Sequence, residues 1–201
     1  MRVIAGRFRG RRLGPAPAGV RPSSDRLREQ LFAVLEPRLA GVRVLDLFCG
    51  TGSLGIEALS RGAAGALFVD RAAAALVVLE RNLAPLLGAA PELAVSWRRQ
   101  DVLRFIAQAW PQPGPDGVFL DPPYGDPAGE AALAAIAALS AGRPVWLAYE
   151  SENREPALPP GLVVERVLRC GDTRVTLLRP APPRDTPRRP LPPADHDEER
   201  P

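Results

Sequence analysis

The chain has 201 residues, 46% of them hydrophobic, with a net charge of +3, two cysteines and a single histidine. That length gives one domain of ordinary size with a core large enough to fold unaided, and no apolar run reaches the roughly 18 residues that a membrane span needs. His196 lies in a proline-rich, charged tail, which excludes histidine triads and histidine metal centres. Cys49 and Cys170 are far apart and lack ligand spacing, so they read as reduced thiols, and no metal site is expected. The first residues, MRVIAGRFRGRRL, lack the apolar stretch of a signal peptide, and a soluble cytoplasmic protein is the expectation.

Charge is concentrated at the start. Arg2, Arg7, Arg9, Arg11, Arg12, Arg21, Arg26 and Arg28 crowd the first residues, with Asp25 the one acid before Glu29. This is a footprint suited to phosphates. Residues 2–13 alternate Val3, Ile4, Phe8 and Leu13 with arginines, and Gly6 and Gly10 punctuate them. A short basic hairpin or extended arm over residues 1–20 is expected, acting on nucleic acid or simply solvated. Residues 14–19 form a Pro/Gly/Ala linker. Arg21-Pro22-Ser23-Ser24-Asp25 then starts a helix that places Leu27, Leu31, Val34 and Leu35 on one face and ends at Pro37.

The main domain, expected over residues 21–179, is organised around residues 42–55, VRVLDLFCGTGSLG. An apolar run ends in Asp46, and Gly50, Gly52 and Gly55 lead into a helix predicted over 56–61, which together give strand, tight turn and helix start. The first two glycines let backbone approach a ligand, and the third lets the helix pack on the strand. Three readings stand here. A dinucleotide suits the glycines, but Asp46 would repel its pyrophosphate. A cationic ligand such as S-adenosylmethionine, with its ammonium and sulfonium, suits both. The third is a purely geometric turn in which Asp46 caps the helix.

Strands are predicted next over 66–69, 93–97, 117–120 and 145–149, alternating with helices over 72–87, 103–109 and 128–140; this is the mark of a mostly parallel sheet wound on both faces. Asp70 ends the second strand about 20 residues after the first glycine, where an acid reaches a ribose hydroxyl or caps a helix. Asp101 follows the third strand, within reach of an adenine. The fourth ends in Asp121-Pro122-Pro123-Tyr124. The prolines stiffen the loop and leave its carbonyls free to accept, so acid, carbonyls and aromatic ring form a receptor for a planar amine, against the plainer reading of a stiff loop with a capping acid. Residues 162–168 and 174–178 read as an antiparallel hairpin at the sheet's edge. Arg179 onward carries too much proline and charge to pack, so a disordered tail over 180–201 is expected.

With both loops placed, the sequence resembles the class I S-adenosylmethionine-dependent methyltransferases, and more closely the bacterial family that methylates the exocyclic N2 of a guanine in 16S ribosomal RNA of the small subunit. The likeness rests on RVIAGRFRGRRL, RPSSDRLREQLF, VLDLFCGTGSLGIEALSRGA, FVD, DPPY and WLAYES. It implies a Rossmann-like α/β fold with a seven-stranded, mostly parallel sheet, S-adenosylmethionine as cofactor, and 16S rRNA, the small subunit or its assembly intermediate as partner of a monomer. By that resemblance Asp46 and the backbone of Gly50 and Gly52 hold the methionine portion, Asp70 the ribose and Asp101 the adenine edge, with Phe48, Arg71 and Val102 also binding the cofactor, while Ser24 and Asp25 close the pocket. Asp121, Pro122, Pro123 and Tyr124 hold the target amine, and Arg7, Arg9, Arg11, Arg12 and Arg21 meet RNA. DNA adenine or cytosine, or a protein glutamine, are acceptors that the same loop serves elsewhere; an RNA-binding domain without catalysis is the other reading.

Overall fold

The apolar run after Gly41 forms β1 (Arg43–Leu47), whose last four residues are all buried because the strand is covered on both faces. The structure, a computed structural model, describes residues 1–15, 25–140, 142–143, 145–153 and 155–181. After the first helix, α1 (Asp25–Leu35), and β1 come α2 (Ser53–Ser60), β2 (Gly65–Asp70), α3 (Ala73–Ala89), β3 (Ala94–Arg99), α4 (Val102–Ala109), β4 (Gly117–Leu120), α5 (Ala128–Leu139), β5 (Trp146–Glu152), β6 (Leu162–Cys170) and β7 (Thr173–Pro180).

All seven strands join one sheet in the order β3-β2-β1-β4-β5-β7-β6. The first five run parallel, and β7 enters antiparallel between β5 and β6. The Rossmann-like expectation holds. One core layer gathers Leu27, Phe32 and Leu35 of α1, Leu59 of α2 and Leu79 of α3 against Phe68 and Phe119. The opposite layer sets Phe105 of α4 and Leu133 and Ile136 of α5 against Val69, Leu120 and Leu147. The strand order reverses between β1 and β4, and in open sheets of this kind ligands bind beyond the carboxyl ends at such a switch point.

The basic start is a hairpin docked on the domain. Arg2 and Arg12 form an antiparallel bridge, and Val3, Phe8 and Leu13 are buried in the first core layer. The Glu57 carboxylate accepts the Ile4 N–H at 2.8 Å and the Ala5 N–H at 3.0 Å, and Ser60 Oγ accepts the Phe8 N–H. Sequence pattern alone left this segment between hairpin, arm and solvated terminus; the buried face of Val3 and Phe8 decides for the hairpin.

Several boundaries differ from expectation, two of them for a clear physical reason. Pairing carries β3 on to Arg98 and Arg99, opposite Val69 and Asp70, although their charge hides the strand from an apolar reading. The tail expected from residue 180 starts too early, since Pro180 is buried and pairs with Leu162, and the Ala181 N–H reaches the Gly161 carbonyl. Residues 182–201 lie outside the described residues. Among the described residues no helix is long and apolar enough to cross a membrane.

Candidate active site

Two loops meet at the switch point. The glycine turn leaves β1, and the double-proline loop leaves β4, which is hydrogen-bonded to β1 with Leu47 opposite Leu120. The Asp121 backbone N–H donates to the Leu47 carbonyl at 3.3 Å, so the loops begin side by side.

The glycine turn is held from several directions. Phe48 adopts φ +58°, a left-handed conformation uncommon outside glycine, directly after the strand. The Cys49 N–H donates to the Val69 carbonyl, and the Gly50 N–H donates to Asp70 Oδ2 at 2.8 Å. Buried Asn82 of α3 donates to the Thr51 carbonyl at 3.0 Å and accepts from the Gly14 N–H at 2.8 Å. Gly50, at φ +52°, has open space where a Cβ would stand, as a surface facing a ligand needs. Gly52 does not fit the expectation of ligand approach: its N–H closes the turn onto the Cys49 carbonyl, and a Cβ there would strike Leu79 of the core. Its φ of +82° and this packing are the reasons for glycine. Gly55 does what the sequence suggests, since a Cβ would collide with the Phe68 ring of β2.

Asp46 is 1% exposed. Its Oδ2 accepts the Gly55 N–H at 2.9 Å, while Oδ1 is buried without a partner. Burial drives its pKa from 3.8 to about 8; the Gly55 N–H opposes the rise and the charge of Asp70 adds to it. An orphaned carboxyl oxygen at a turn with open space above Gly50 fits a ligand that brings an N–H donor and positive charge, as the methionine end of S-adenosylmethionine does. Burial, then Asp46 and Asp70, also push the Cys49 thiol well above its usual range, which leaves it a protonated packing residue.

Asp70 holds two backbone segments at once. Its Oδ2 fastens Gly50 and its Oδ1 accepts the Ala72 N–H at 2.8 Å, next to the start of α3. Each carboxylate oxygen has a second lone pair, so a ribose hydroxyl still finds an acceptor. Asp101 caps α4, accepting the Arg104 N–H at 3.0 Å. Val102 is buried behind it. Arg71 is exposed, with its guanidinium 3.7 Å from Asp126. Asp25, at the start of α1, accepts from the buried Arg28; Ser24 and Arg21 lie outside the described residues.

In the second loop Pro122 is buried and Pro123 exposed. The Pro123 carbonyl is not free as expected, because it accepts the Asp126 N–H at 3.0 Å across a turn that has Gly125 at φ +75°. Among the described residues no backbone N–H is donated to the Pro122 carbonyl. The Tyr124 ring is 38% exposed, and its hydroxyl lies 2.6 Å from Thr173 Oγ1 at the start of β7. Thr173 and Asp126 escaped sequence reasoning. Asp126 is signalled only by its place two residues after Tyr124, and nothing in the sequence links Thr173 to a loop 49 residues away.

The arginines of the hairpin stand apart from this cleft, because the hairpin turn packs on the far end of α2 from the glycine turn, about 12 Å along that helix. Arg7 is paired with Glu92 at 2.7 Å and lies over the Phe8 ring, as does Arg11. Arg9 and Arg12 are exposed.

Comparison with known proteins agrees with this architecture. Residues 1–179 match the family described as Conserved hypothetical protein 95. Ribosomal RNA small subunit methyltransferase D of Haemophilus influenzae is 37% identical over 162 residues, covering 80% of this chain and 83% of that protein. The protein of the same name from Escherichia coli K12 is 40% identical over 126 residues, 62% of this chain and 60% of its own length. The solved structure of Escherichia coli yhhF superposes with a TM-score of 0.76 at 33% identity, covering 90% of this chain and 97% of that one.

Proposed function

We propose, from the premise that this chain belongs to the Conserved hypothetical protein 95 family together with the Ribosomal RNA small subunit methyltransferase D proteins, that it transfers a methyl group from S-adenosylmethionine to the exocyclic N2 of a guanine in small-subunit, 16S, ribosomal RNA. The family supports methylation of ribosomal RNA. The reading of the acceptor as an amine rests on one observation: a rigid loop presenting Asp121, Pro122 and Tyr124 starts against the glycine turn, tied by the Asp121 N–H to the Leu47 carbonyl at 3.3 Å.

When bound, the cofactor would supply an electrophilic methyl on a sulfonium, and the neutral thioether would leave without help from an acid. Asp46 would take the ammonium on its free Oδ1, and Asp70 the ribose. An exocyclic amine is a weak nucleophile because its lone pair is delocalised into the ring. Asp121 and the Pro122 carbonyl, by accepting its two hydrogens, favour a pyramidal nitrogen with the lone pair directed at the donor. Asp121 and the Pro122 carbonyl would stabilise the positive charge that builds on the nitrogen as it takes the methyl group, and Asp121 would accept the proton that the amine sheds. Tyr124 stacks on the base, steadied through its hydroxyl by Thr173. A paired guanine must first leave its stack.

Tritium transfer from labelled cofactor to small ribosomal subunits, to their naked RNA, to duplex DNA and to a glutamine-bearing release factor tests the reading, followed by nucleotide mass analysis of the labelled RNA. Label in N2-methylguanine of small-subunit RNA is expected. Label confined to DNA or protein would contradict it.

A further inference from the structure

Asp126 joins the acceptor loop to α5. Its N–H closes the turn on the Pro123 carbonyl, its carbonyl accepts the Gly129 N–H at 3.2 Å, and its Oδ1 accepts the Ala128 N–H at 2.9 Å. Gly129 in turn lies so close to Pro122 that a Cβ would come within 2.6 Å of the proline ring. The loop from Pro122 to Gly129 is therefore tied to itself by the Asp126 hydrogen bonds and by the packing of Gly129 on the Pro122 ring.

The remaining oxygen of Asp126, Oδ2, faces the Arg71 guanidinium at 3.7 Å. Arg71 immediately follows β2, and Asp126 follows β4, with β1 between them in the sheet. Those outer strands are about 10 Å apart, so the pair bridges the sheet edge across the end of β1, where the glycine turn begins. Arg71 is 68% exposed and Asp126 21%, which makes the bridge cheap to open and close.

We infer that Arg71 is a positioning residue: it straps the acceptor loop, through Asp126, to the cofactor side of the cleft, so that the loop is set for transfer once donor and acceptor are in place. This rests on the proposed methyl transfer and assigns Arg71 a partner in the protein in place of the cofactor.

Amide hydrogen exchange of residues 121–129, in the full chain saturated with S-adenosylhomocysteine, tests the strap without turnover. Arg71→Gln and Asp126→Asn, the latter keeping the oxygen that accepts the Ala128 N–H, should raise loop exchange about equally, roughly three- to fivefold. The double variant should be no worse, and Arg71→Lys should retain protection. In kinetics on small-subunit rRNA, kcat should fall about threefold in both single variants, with KM for RNA and affinity for S-adenosylhomocysteine unchanged. Unaltered exchange, additive effects, weakened S-adenosylhomocysteine binding in Arg71→Gln alone, or a raised KM for RNA in that variant alone would each overturn the strap. A wild-type chain that transfers no methyl group to rRNA would instead refute the function, and the exchange result would still decide the strap.

Discussion

Asp70 Oδ2 accepts the Gly50 N–H at 2.8 Å, so the acid at the end of β2 fixes the glycine turn at the end of β1. Asp46 of β1 has its Oδ1 buried without a partner, and the Asp121 N–H ties the loop after β4 to the Leu47 carbonyl. Burial raises the Asp46 pKa to about 8, so a ligand that brings positive charge to Oδ1 would favour its ionised form and a phosphate would oppose it.

Asp46 makes folding and binding depend on pH. Unfolded, it holds a proton only below its ordinary 3.8; folded, it holds it up to about 8. Between those values the native state binds more protons than the unfolded one, so this group lowers stability progressively as pH rises from about 4 to about 8, and no further above. Thermal melts across that range should show the decline, and Asp46→Asn should flatten it. The same substitution should weaken S-adenosylhomocysteine binding at least tenfold. Binding to the wild type near pH 7 should release a proton, visible as a buffer-dependent calorimetric enthalpy.

Gly50 and Gly52 should respond differently to alanine. Both have positive φ, but only at Gly52 would a Cβ enter the core, against Leu79. Gly52→Ala is expected to lose about 3 kcal/mol of stability. Gly50→Ala should lose about 1 kcal/mol and instead impair cofactor binding, because its Cβ would occupy the open side of the turn. Denaturant titration beside S-adenosylhomocysteine binding separates the two.

Glu57 is fully buried, and its carboxylate accepts from Ile4, Ala5 and the Arg61 Nε. Glu57→Ala strands those donors and should destabilise the protein by about 3 kcal/mol. Proteolysis should then cut within residues 1–15, which the wild type protects by burying Val3, Phe8 and Leu13. If the hairpin takes part in binding, RNA affinity should fall with it, whereas affinity for the cofactor should fall much less.

Tyr124→Phe removes the hydroxyl that meets Thr173 and keeps the ring; Tyr124→Ala removes both. Stacking predicts a modest rise in KM for RNA in the first, about threefold, and a loss of tenfold or more in kcat/KM in the second. Equal losses would place the function in the hydroxyl.

The alternation of buried runs and helices was legible because β1, β2 and β4 are covered on both faces and read as continuous apolar stretches, and both site loops follow such strands. The start of α2 was not, since Ser53 and Leu54 sit among glycines, although the Gly52 carbonyl already accepts the Ile56 N–H. The end of β3 was hidden by the charge of Arg98 and Arg99, for which only pairing with β2 supplies the order. Within the site, the acids were visible by position, but their hydrogen bonds were not. That Asp70 fastens Gly50, that Pro123 gives its carbonyl to Asp126, and that Tyr124 rests on Thr173 all depend on contacts between distant segments or on a turn geometry that composition does not specify.

Asp121 carries the central claim that the loop after β4 activates the acceptor amine. Single-turnover transfer to small-subunit rRNA by Asp121→Ala, measured alongside S-adenosylhomocysteine affinity, tests it most directly. The account predicts a rate lower by about a hundredfold or more with affinity within about threefold of wild type. A variant that methylates at the wild-type rate, or that loses transfer only because the cofactor no longer binds, would contradict it.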